Sequence, residues 1–434
     1  MKEWRFKRGM VAAALVYVLA GSTARAEQGA PPGELEALKR MVQEVMSQNE
    51  ELRRRVRDLE AAMTRRGQAP EEAAKQAEAP KEPAKPIATE PAKEPIKAGK
   101  SSWGKIQLGG AIEVEVGSRR DFRGVRSSDL TLNTAEFDFE ADVVDWGKAE
   151  LSLQWDSAAD KITVNEAMVT LAKPAVVPVY LKTGRGVMPF GISTGSTVAA
   201  RLAESVTITG PLTLEVFETK EDHVLLGVKG YGFTVGAYVY DGTTNNVVRG
   251  GKRLEHYGAT LGYGLKTELL SFDAGVGWID SVFDTDALTT AFPELVTRPR
   301  RAYVPGVATY ARLGLWGVSL VGEYDAANRE TSFKRTLNRN LRTLRTQPEA
   351  WQIELGYTTR IFGDIRPFGA FSYSETSSMF AEFPKTRRLI TVGSWLSEDV
   401  RVAVEYSNEH DYGKGSLGTG RESDAGIRRL TYEW

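Results

Sequence analysis

The sequence predicts an all-β fold: a transmembrane antiparallel β-barrel of about 16 strands, preceded by an α-helical coiled-coil segment. Beyond residue 103, apolar and polar residues alternate with the period of a strand that has one lipid face and one polar face. Short and long connections alternate between these segments. No later segment reaches about 18 consecutive apolar residues, so the sequence predicts no spanning helix after the N-terminal region.

Residues 1–26 have the pattern of a secretory signal peptide. Basic residues precede an apolar run from Met10 to Ala20, and the small-residue pattern Ala24-Arg25-Ala26 follows it. The run is about half the length that a spanning helix needs. We therefore expect export and cleavage before Glu27, with a retained anchor as the alternative.

Residues 27–66 carry a heptad repeat, in which apolar residues recur every three or four positions from Leu35 to Met63. This spacing predicts a self-associating coiled coil in the periplasm. Asn49 occupies an a position, where a buried polar residue fixes the register. Val at a with Leu at d favours two strands. A single amphipathic helix lying on another surface is the alternative.

Residues 67–103 form a linker rich in Pro, Ala, Lys and Glu, with almost no apolar residue able to pack. This composition is typical of a semi-rigid, solvated spacer, and a disordered segment fits equally well. The barrel domain is expected over residues 104–434.

The alternation places 16 strands in this domain, with a phase slip inside the second that indicates either a β-bulge or a strand assigned too long. They are predicted at 105–116, 129–143, 148–156, 162–172, 178–186, 223–230, 232–241, 255–266, 268–280, 304–314, 316–326, 350–362, 365–374, 387–396, 400–409 and 424–434. Short connections follow the even strands and longer ones mostly follow the odd strands, as expected for periplasmic turns and extracellular loops. A soluble sandwich would show similar alternation, but its strands would not pair by hairpins without interruption.

The last strand ends on alternating apolar and aromatic residues, with Tyr432 and Trp434 at its end. This pattern resembles the signal that the outer-membrane barrel assembly machinery reads. We therefore expect that machinery to be a partner, together with outer-membrane lipid and lipopolysaccharide.

Composition excludes several classes of function. The chain has no cysteine, and its three histidines are scattered, so we expect no metal site and no cofactor. A net charge of -1 without a basic domain argues against nucleic acid as a partner. No His lies near a motif-like Ser or Asp group, so we do not expect an enzyme.

Two sequence blocks resemble the LbtU-type siderophore porin family. One runs from Asn165 through Arg185 to Gly191, and the other is Gly210-Pro211-Leu212-Thr213-Leu214-Glu215 with Glu218-Thr219. The motif residues that carry the resemblance are Gly184, Arg185, Pro189, Phe190, Gly191, Pro211, Leu212 and Thr213. This chain has Gly210 where that family has Asp.

The resemblance implies passage of a ferric siderophore across the bacterial outer membrane, through a barrel without the plug of TonB-dependent receptors. It also favours a trimer, against the two strands that the heptads favour. A general or phosphate-selective porin is the alternative within this class. A structural tether, in which the barrel only anchors the coiled coil, is the alternative from another class.

In porins the loop after strand five commonly folds into the lumen, which predicts that connection 187–222 narrows the channel here. Charged residues on or beside it are the pore candidates: Arg185, Arg201, Glu204, Glu215, Glu218 and Lys220. A surface loop with solvated charges is the alternative.

Loops 117–128 and 327–349 are strongly basic. Arginine presents paired donors to carboxylate and phosphate groups, so we expect these loops to attract a small anionic solute or anionic chelate. Binding to lipopolysaccharide phosphates is the alternative. The candidates are Arg119, Arg120, Arg335, Arg339, Arg342 and Arg345.

Overall fold

A computed structural model describes residues 106–156, 161–192, 197–198, 200, 205–242, 254–296, 303–337, 340–361 and 363–434. The chain divides into two units, Met1–Ala88 and Thr89–Trp434, and every described residue belongs to the second. The signal peptide, the coiled coil and the linker all lie outside the described residues and stay predictions. No helix among the described residues is long and apolar enough to cross a membrane.

Sixteen antiparallel strands form a closed barrel, in which β18 pairs with β1. The barrel strands are β1 Ile106–Arg120, β2 Arg126–Val144, β3 Gly147–Asp156, β4 Lys161–Ala172, β5 Val179–Val187, β6 Lys220–Gly230, β7 Phe233–Tyr240, β8 His256–Lys266, β9 Leu270–Ile279, β10 Gly306–Leu315, β11 Val318–Ala327, β14 Glu349–Thr358, β15 Arg366–Ser377, β16 Thr386–Trp395, β17 Val400–His410 and β18 Glu422–Glu433. A separate hairpin consists of β12 Thr331–Leu337 and β13 Asn340–Thr346. The predicted fold class is therefore confirmed, with each predicted strand present and shifted by a few residues at its ends.

Short helices occupy the connections at one end of the barrel. They are the α-helices α1 Leu212–Phe217, α2 Asp286–Ala291 and α3 Pro293–Val296, and the 3-10 helices Val282–Asp284, Phe380–Glu382 and Lys414–Ser416. We call the end that carries these helices the long-loop end. At the opposite end the connections are short turns, such as 145–146 between β2 and β3 and 231–232 between β6 and β7. The first long loop is an exception: β1 and β2 extend until only 121–125 remains, so the predicted loop 117–128 is mostly strand.

A bulge is present in β2. Thr134 pairs with Glu113 and Leu132 pairs with Val114, which leaves Asn133 as the extra residue. An extra residue reverses the side-chain phase, and this reversal explains the phase slip in the sequence. A second shift of register makes Asn165 the extra residue of a bulge in β4.

The two faces of the barrel differ in polarity. Leu226, Ile353 and Ile390 on the outer face are 57%, 45% and 53% exposed, as expected for an apolar band that faces lipid. Glu354 and Glu405 lie on the inner face and are buried. The terminal strand closes the ladder through pairs such as Glu433 with Ala111.

Candidate functional site

The β5–β6 connection, residues 188–219, crosses the inside of the barrel. The backbone N–H of Ile192 donates to Glu323 on β11 at 2.5 Å, and that of Val198 donates to Glu136 on β2 at 2.9 Å. These two strands are seven positions apart in the ring of sixteen. The described residues Ile192 and Val198 therefore contact nearly opposite walls, as expected for a loop that narrows the channel.

The chain then returns along a different part of the wall. Ser205 Oγ donates to Glu354 at 2.6 Å, and the backbone N–H groups of Ile208 and Thr209 donate to Glu405 at 2.6 and 2.9 Å. Thr391 Oγ1 also donates to Glu405 at 2.6 Å. Each wall carboxylate thus accepts donors from irregular backbone that would otherwise lie unsatisfied inside the barrel.

Two arginines complement these carboxylates by donating to carbonyl groups of the connection. Arg401 donates to the Val206 carbonyl at 2.5 Å, with its guanidinium 4.6 Å from the Phe368 ring centre. Arg387 donates to the Gly210 carbonyl at 2.9 Å and to Glu215 at 2.5 Å. The wall therefore holds the connection through donors and acceptors together.

The second motif block, with Pro211, Leu212 and Thr213, lies buried against this wall. The Leu212 N–H faces Ser374 Oγ at 3.3 Å, and Thr213 Oγ1 donates to Glu323 at 2.6 Å. Gln352 donates to the same carboxylate at 2.9 Å. The block therefore fixes the point where α1 meets the wall.

The first block lies at the start of the connection. Gly191 has φ +78, and a Cβ at that position would lie 2.5 Å from Glu323 Oε1, so glycine suits both the backbone and the contact. Pro189 precedes Phe190, whose buried ring lies 6.4 Å from that of Phe217. Gly184 on β5 has φ +135, and a Cβ there would collide with the Ala167 carbonyl.

The pore candidates take several different positions. By register Arg185 faces outward with Asp222, 3.8 Å away, so it lies in the wall beside the lumen. Its charge still acts on Asp286, which lines the cavity, so its role in ion preference stays a prediction. An even number of residues separates Arg185 from the outward Leu181, and this phase was readable from the strand pattern. Lys220 donates to Asn165 at 2.6 Å and ties β6 to the bulge in β4. Arg201 and Glu204 lie outside the described residues.

A cavity of about 380 Å³ lies between the connection and the wall. Glu215, Glu218 and Asp286 line it from the connections, and Glu113 and Arg429 line it from the wall. A second cavity of about 450 Å³ opens among the short turns. Ser205 and Glu354 line both cavities, so this hydrogen-bonded pair lies where the two approach each other.

Apolar packing closes another part of the long-loop end. Connection 280–305, with α2 and α3, contributes Phe283 and Phe292, whose rings are 5.9 Å apart, and Phe292 lies 5.5 Å from Phe333 of the β12–β13 hairpin. These residues join a buried cluster with Met188 and Phe190.

By contrast, Lys148 on the inner wall stays 36% exposed between Glu140 and Glu150, at 2.8 Å from each. The inner wall at β2 and β3 therefore remains accessible to water.

The basic-loop candidates are mostly paired. Arg119 lies on the inner side of β1 beside Glu409 at 3.4 Å, and Arg120 lies on the outer side, 2.5 Å from Asp424. Both belong to β1 and not to a loop. Arg342 is exposed, Arg345 is 3.3 Å from Glu330, and Arg339 lies outside the described residues.

Arg335 forms several hydrogen bonds within the cap of the long-loop end, by which we mean α2, α3, the β12–β13 hairpin and the 3-10 helix Phe380–Glu382. It donates to Glu294 at 2.6 and 2.9 Å, to Glu382 at 2.6 Å and to the Ala291 carbonyl at 2.7 Å. Its guanidinium also lies 5.2 Å from the Phe333 ring centre. The hydrogen bonds from Arg335 lower the pKa of Glu294. Its expected role as a free attractor of anions is therefore wrong.

The terminal aromatic residues lie on the outer face. The Tyr432 and Trp434 rings stack 5.9 Å apart, and the Trp434 indole covers Gly110 of β1, where a Cβ would lie 2.5 Å from the ring. They therefore sit at the seam that closes the barrel. Their role as an assembly signal stays a prediction. Within the described ranges, no group of three or more acidic or histidine side chains is placed to hold a metal ion.

No family model matches the chain. A UPF0422 protein of Coxiella burnetii (strain RSA 493 / Nine Mile phase I) is 23% identical over 326 residues, which are 73% of this chain and 66% of that protein. The chain thus matches just under two thirds of that relative's length.

Among solved structures, OmpF of Salmonella typhi in complex with daunomycin is 12% identical, with a TM-score of 0.51 over 76% of this chain and 98% of that one. The outer membrane channel DcaP of Acinetobacter baumannii is 12% identical, with a TM-score of 0.50 over 78% and 100%. OprB of Pseudomonas putida is 9% identical, with a TM-score of 0.50 over 76% and 94%. At these identities the similarity shows the fold, a porin-type barrel.

Proposed function

We propose that this chain is an outer-membrane channel for small solutes, with its long-loop end extracellular and its short turns in the periplasm. The crossing β5–β6 connection carries the proposal, because it narrows the lumen and leaves two cavities that share Ser205 and Glu354. A barrel that served only as an anchor would have no need for polar wall groups to hold such a segment across its inside. The porin-type fold supports the same function.

The charge of the preferred solute follows from the residues that line the first cavity, of about 380 Å³. Carboxylates from Glu113, Glu215, Glu218 and Asp286 line it. Glu113 is ion-paired with Arg429 at 3.1 Å and Glu215 with Arg387 at 2.5 Å, so four carboxylates face two arginine charges. Fixed charges close to a narrow path set ion preference. We therefore propose passage of neutral or positively charged solutes in preference to anions, which departs from the expectation based on the basic loops.

A ferric siderophore remains the specific cargo that the family resemblance suggests. The motif residues support it only in the sense that Pro211, Leu212 and Thr213 belong to the constriction. The carboxylate lining favours ferric chelates of neutral or positive charge. Proteoliposomes loaded with the apo-chelator would take up such a chelate faster than an anionic one of equal size, and equal rates would contradict this preference.

Because the chain has no cysteine, a single introduced thiol can test the path. The full chain with Ser205→Cys, recorded in planar bilayers, should lose much of its conductance when a bulky water-soluble thiol reagent is added. Glu398→Cys, at an exposed position in the turn 396–399, is the control, and its modification should leave conductance unchanged. Full conductance after modification of Ser205→Cys would contradict the path. A chain that never conducts would favour the tether.

A further inference from the structure

Five polar residues form one continuous row across the outer face, at the long-loop ends of β16, β17, β18, β1 and β2. Each is the direct cross-strand partner of the next, and together we call them the rim row: Arg388, Asn408, Asp424, Arg120 and Arg126. Their outward direction follows from phase, since Ile390 and Tyr406, two residues along their strands, are 53% and 50% exposed. The rim row therefore faces the surroundings of the barrel and not its lumen.

A notch of small residues lies directly below the rim row. Gly426, Ser118 and Ser128 are cross-strand partners two residues closer to the short-turn end. One step further down, Arg428 is exposed between its partners Val116 and Val404. The small residues leave open space above the sheet, so the Arg428 side chain can extend toward the rim row.

Positive charge in this region exceeds the negative charge that could balance it. Asp424 lies 2.5 Å from Arg120 and also accepts from Tyr406 and Asn408 at 2.8 and 3.0 Å. Within the described part of the chain, the other three arginines form no ion pair: Arg126, Arg388 and Arg428. With the outward Glu375 and Glu422 included, this surface carries four arginines against three carboxylates, and only Arg120 has a carboxylate within 4 Å.

Two placements make this excess unfavourable without a ligand. Arg120 and Arg126 stand directly opposite each other, and like charges at such positions destabilise a sheet. Arg428 stands among outward apolar residues such as Val404, 49% exposed, where an arginine on a lipid face is costly. An anion bound between them would remove both penalties.

We propose that the notch and its four arginines bind the phosphate groups of a phosphorylated glycolipid in the outer leaflet. Arginine offers paired donors that match phosphate oxygens. Arg120 and Arg428 are four residues apart in register, about 13 Å at a strand's rise per residue, so their side chains can close on one headgroup from above and below. Acyl chains of the lipid would lie over the exposed Val404 and Val392.

The height of the notch agrees with a headgroup. Tyr406 is exposed beside Gly426, and its hydroxyl donates to Asp424 at 2.8 Å. An aromatic residue with a polar tip, at the end of an apolar strand face, marks the membrane interface in barrels. The notch therefore lies at the level where lipid phosphates are found.

Native mass spectrometry of the full chain in detergent can test this site with lipid A as the probe. We expect the bisphosphorylated lipid to bind and its dephosphorylated form to bind far more weakly. The triple change Arg126→Gln, Arg388→Gln and Arg428→Gln should weaken binding by at least about tenfold, as expected on loss of a charge-assisted hydrogen bond. Arg185→Gln, which removes an outer-face arginine on β5, is the matched control and should change binding little.

Other results would overturn the proposal. Equal binding of both forms of lipid A would mean that phosphate is not recognised. Equal loss with Arg185→Gln would mean that only overall charge matters. If the triple variant bound lipid normally but lost its oligomeric state, the notch would be a contact with a second copy of the chain. Heat-modifiable mobility on a gel verifies that each variant is folded, and conductance plays no part in the test.

Discussion

Glu405 anchors the return half of the crossing connection, and its replacement by alanine should release that half from the wall. The carboxylate accepts two backbone N–H groups and one hydroxyl, at 2.6, 2.9 and 2.6 Å from Ile208, Thr209 and Thr391. Hydrogen bonds to charged groups contribute about 1.5–3 kcal/mol each. Water in the lumen can replace some of the lost hydrogen bonds, and the free-energy contributions of neighbouring hydrogen bonds are not additive.

A net loss of about 3 kcal/mol is therefore a reasonable expectation for Glu405→Ala. Since about 1.4 kcal/mol is a factor of ten, the detached conformation should become roughly a hundredfold more populated. Glu405→Gln keeps one oxygen that can still accept a backbone N–H, so its effect should be smaller. The barrel itself should stay folded, because the strand ladder of β17 does not depend on this side chain.

Single-channel recording in planar bilayers measures the consequence. We expect a larger mean conductance and more open-channel noise in Glu405→Ala, with Glu405→Gln intermediate. Glu375→Ala is the control, because that carboxylate lies on the outer face of β15, two strands from β17, where it accepts a hydrogen bond from Tyr373 at 3.2 Å. Wild-type conductance and noise in a folded Glu405→Ala channel would refute the anchoring argument.

Three further predictions concern other parts of the chain. Arg335 holds the pKa of Glu294 below its usual 4.5, so this contact stabilises the cap above the ordinary carboxyl pKa and is lost as pH falls through the lowered value. Proteolysis of the cap in the wild type should therefore increase only once pH falls through that lowered pKa, whereas Arg335→Gln should be cleaved readily at neutral pH too. Deletion of residues 27–100 should leave a barrel with heat-modifiable mobility, since every barrel strand lies beyond the cut, and a product that never becomes compact would contradict independent domains. Replacement of Asn49 by Val in the peptide 27–66 should stabilise the coiled coil and loosen its stoichiometry, and sedimentation showing monomers in both forms would mean that the heptads do not associate.

The barrel was predictable from the sequence because each strand carries its own evidence. A period of two over about ten residues fixes which side chains face outward, and hairpin connections fix the neighbours. The phase slip in β2 was also visible, as either a bulge or a strand assigned too long, and the extra residue Asn133 explains it. Strand ends were less certain: β1 and β2 continue through a basic stretch that resembles a loop, where Arg120 is paired with Asp424 on β18.

The site was only partly predictable, because its contacts join residues far apart in the chain. The phase of β17 shows that Glu405 faces inward, and yet nothing near it in sequence identifies Ile208 and Thr209 as its donors. Arg335 looked free for a similar reason. Its partners Glu294 and Glu382 come from two other loops, and only the closed barrel brings those loops together.

This separation affects how the selectivity of such a channel can be judged from its sequence. A tally of inward charges would count Glu136, Glu323, Glu354 and Glu405 as part of an acidic lumen. All four carboxylates accept hydrogen bonds from the crossing connection, so these donors already balance much of their negative charge. Glu323 and Glu354 also line the cavity, but their carboxylates already accept hydrogen bonds there, whereas the connections themselves contribute Glu218 and Asp286 to the lining. Ion preference should therefore respond more to changes at these two residues than to changes at the anchoring glutamates, whose replacement should act chiefly on the width of the path.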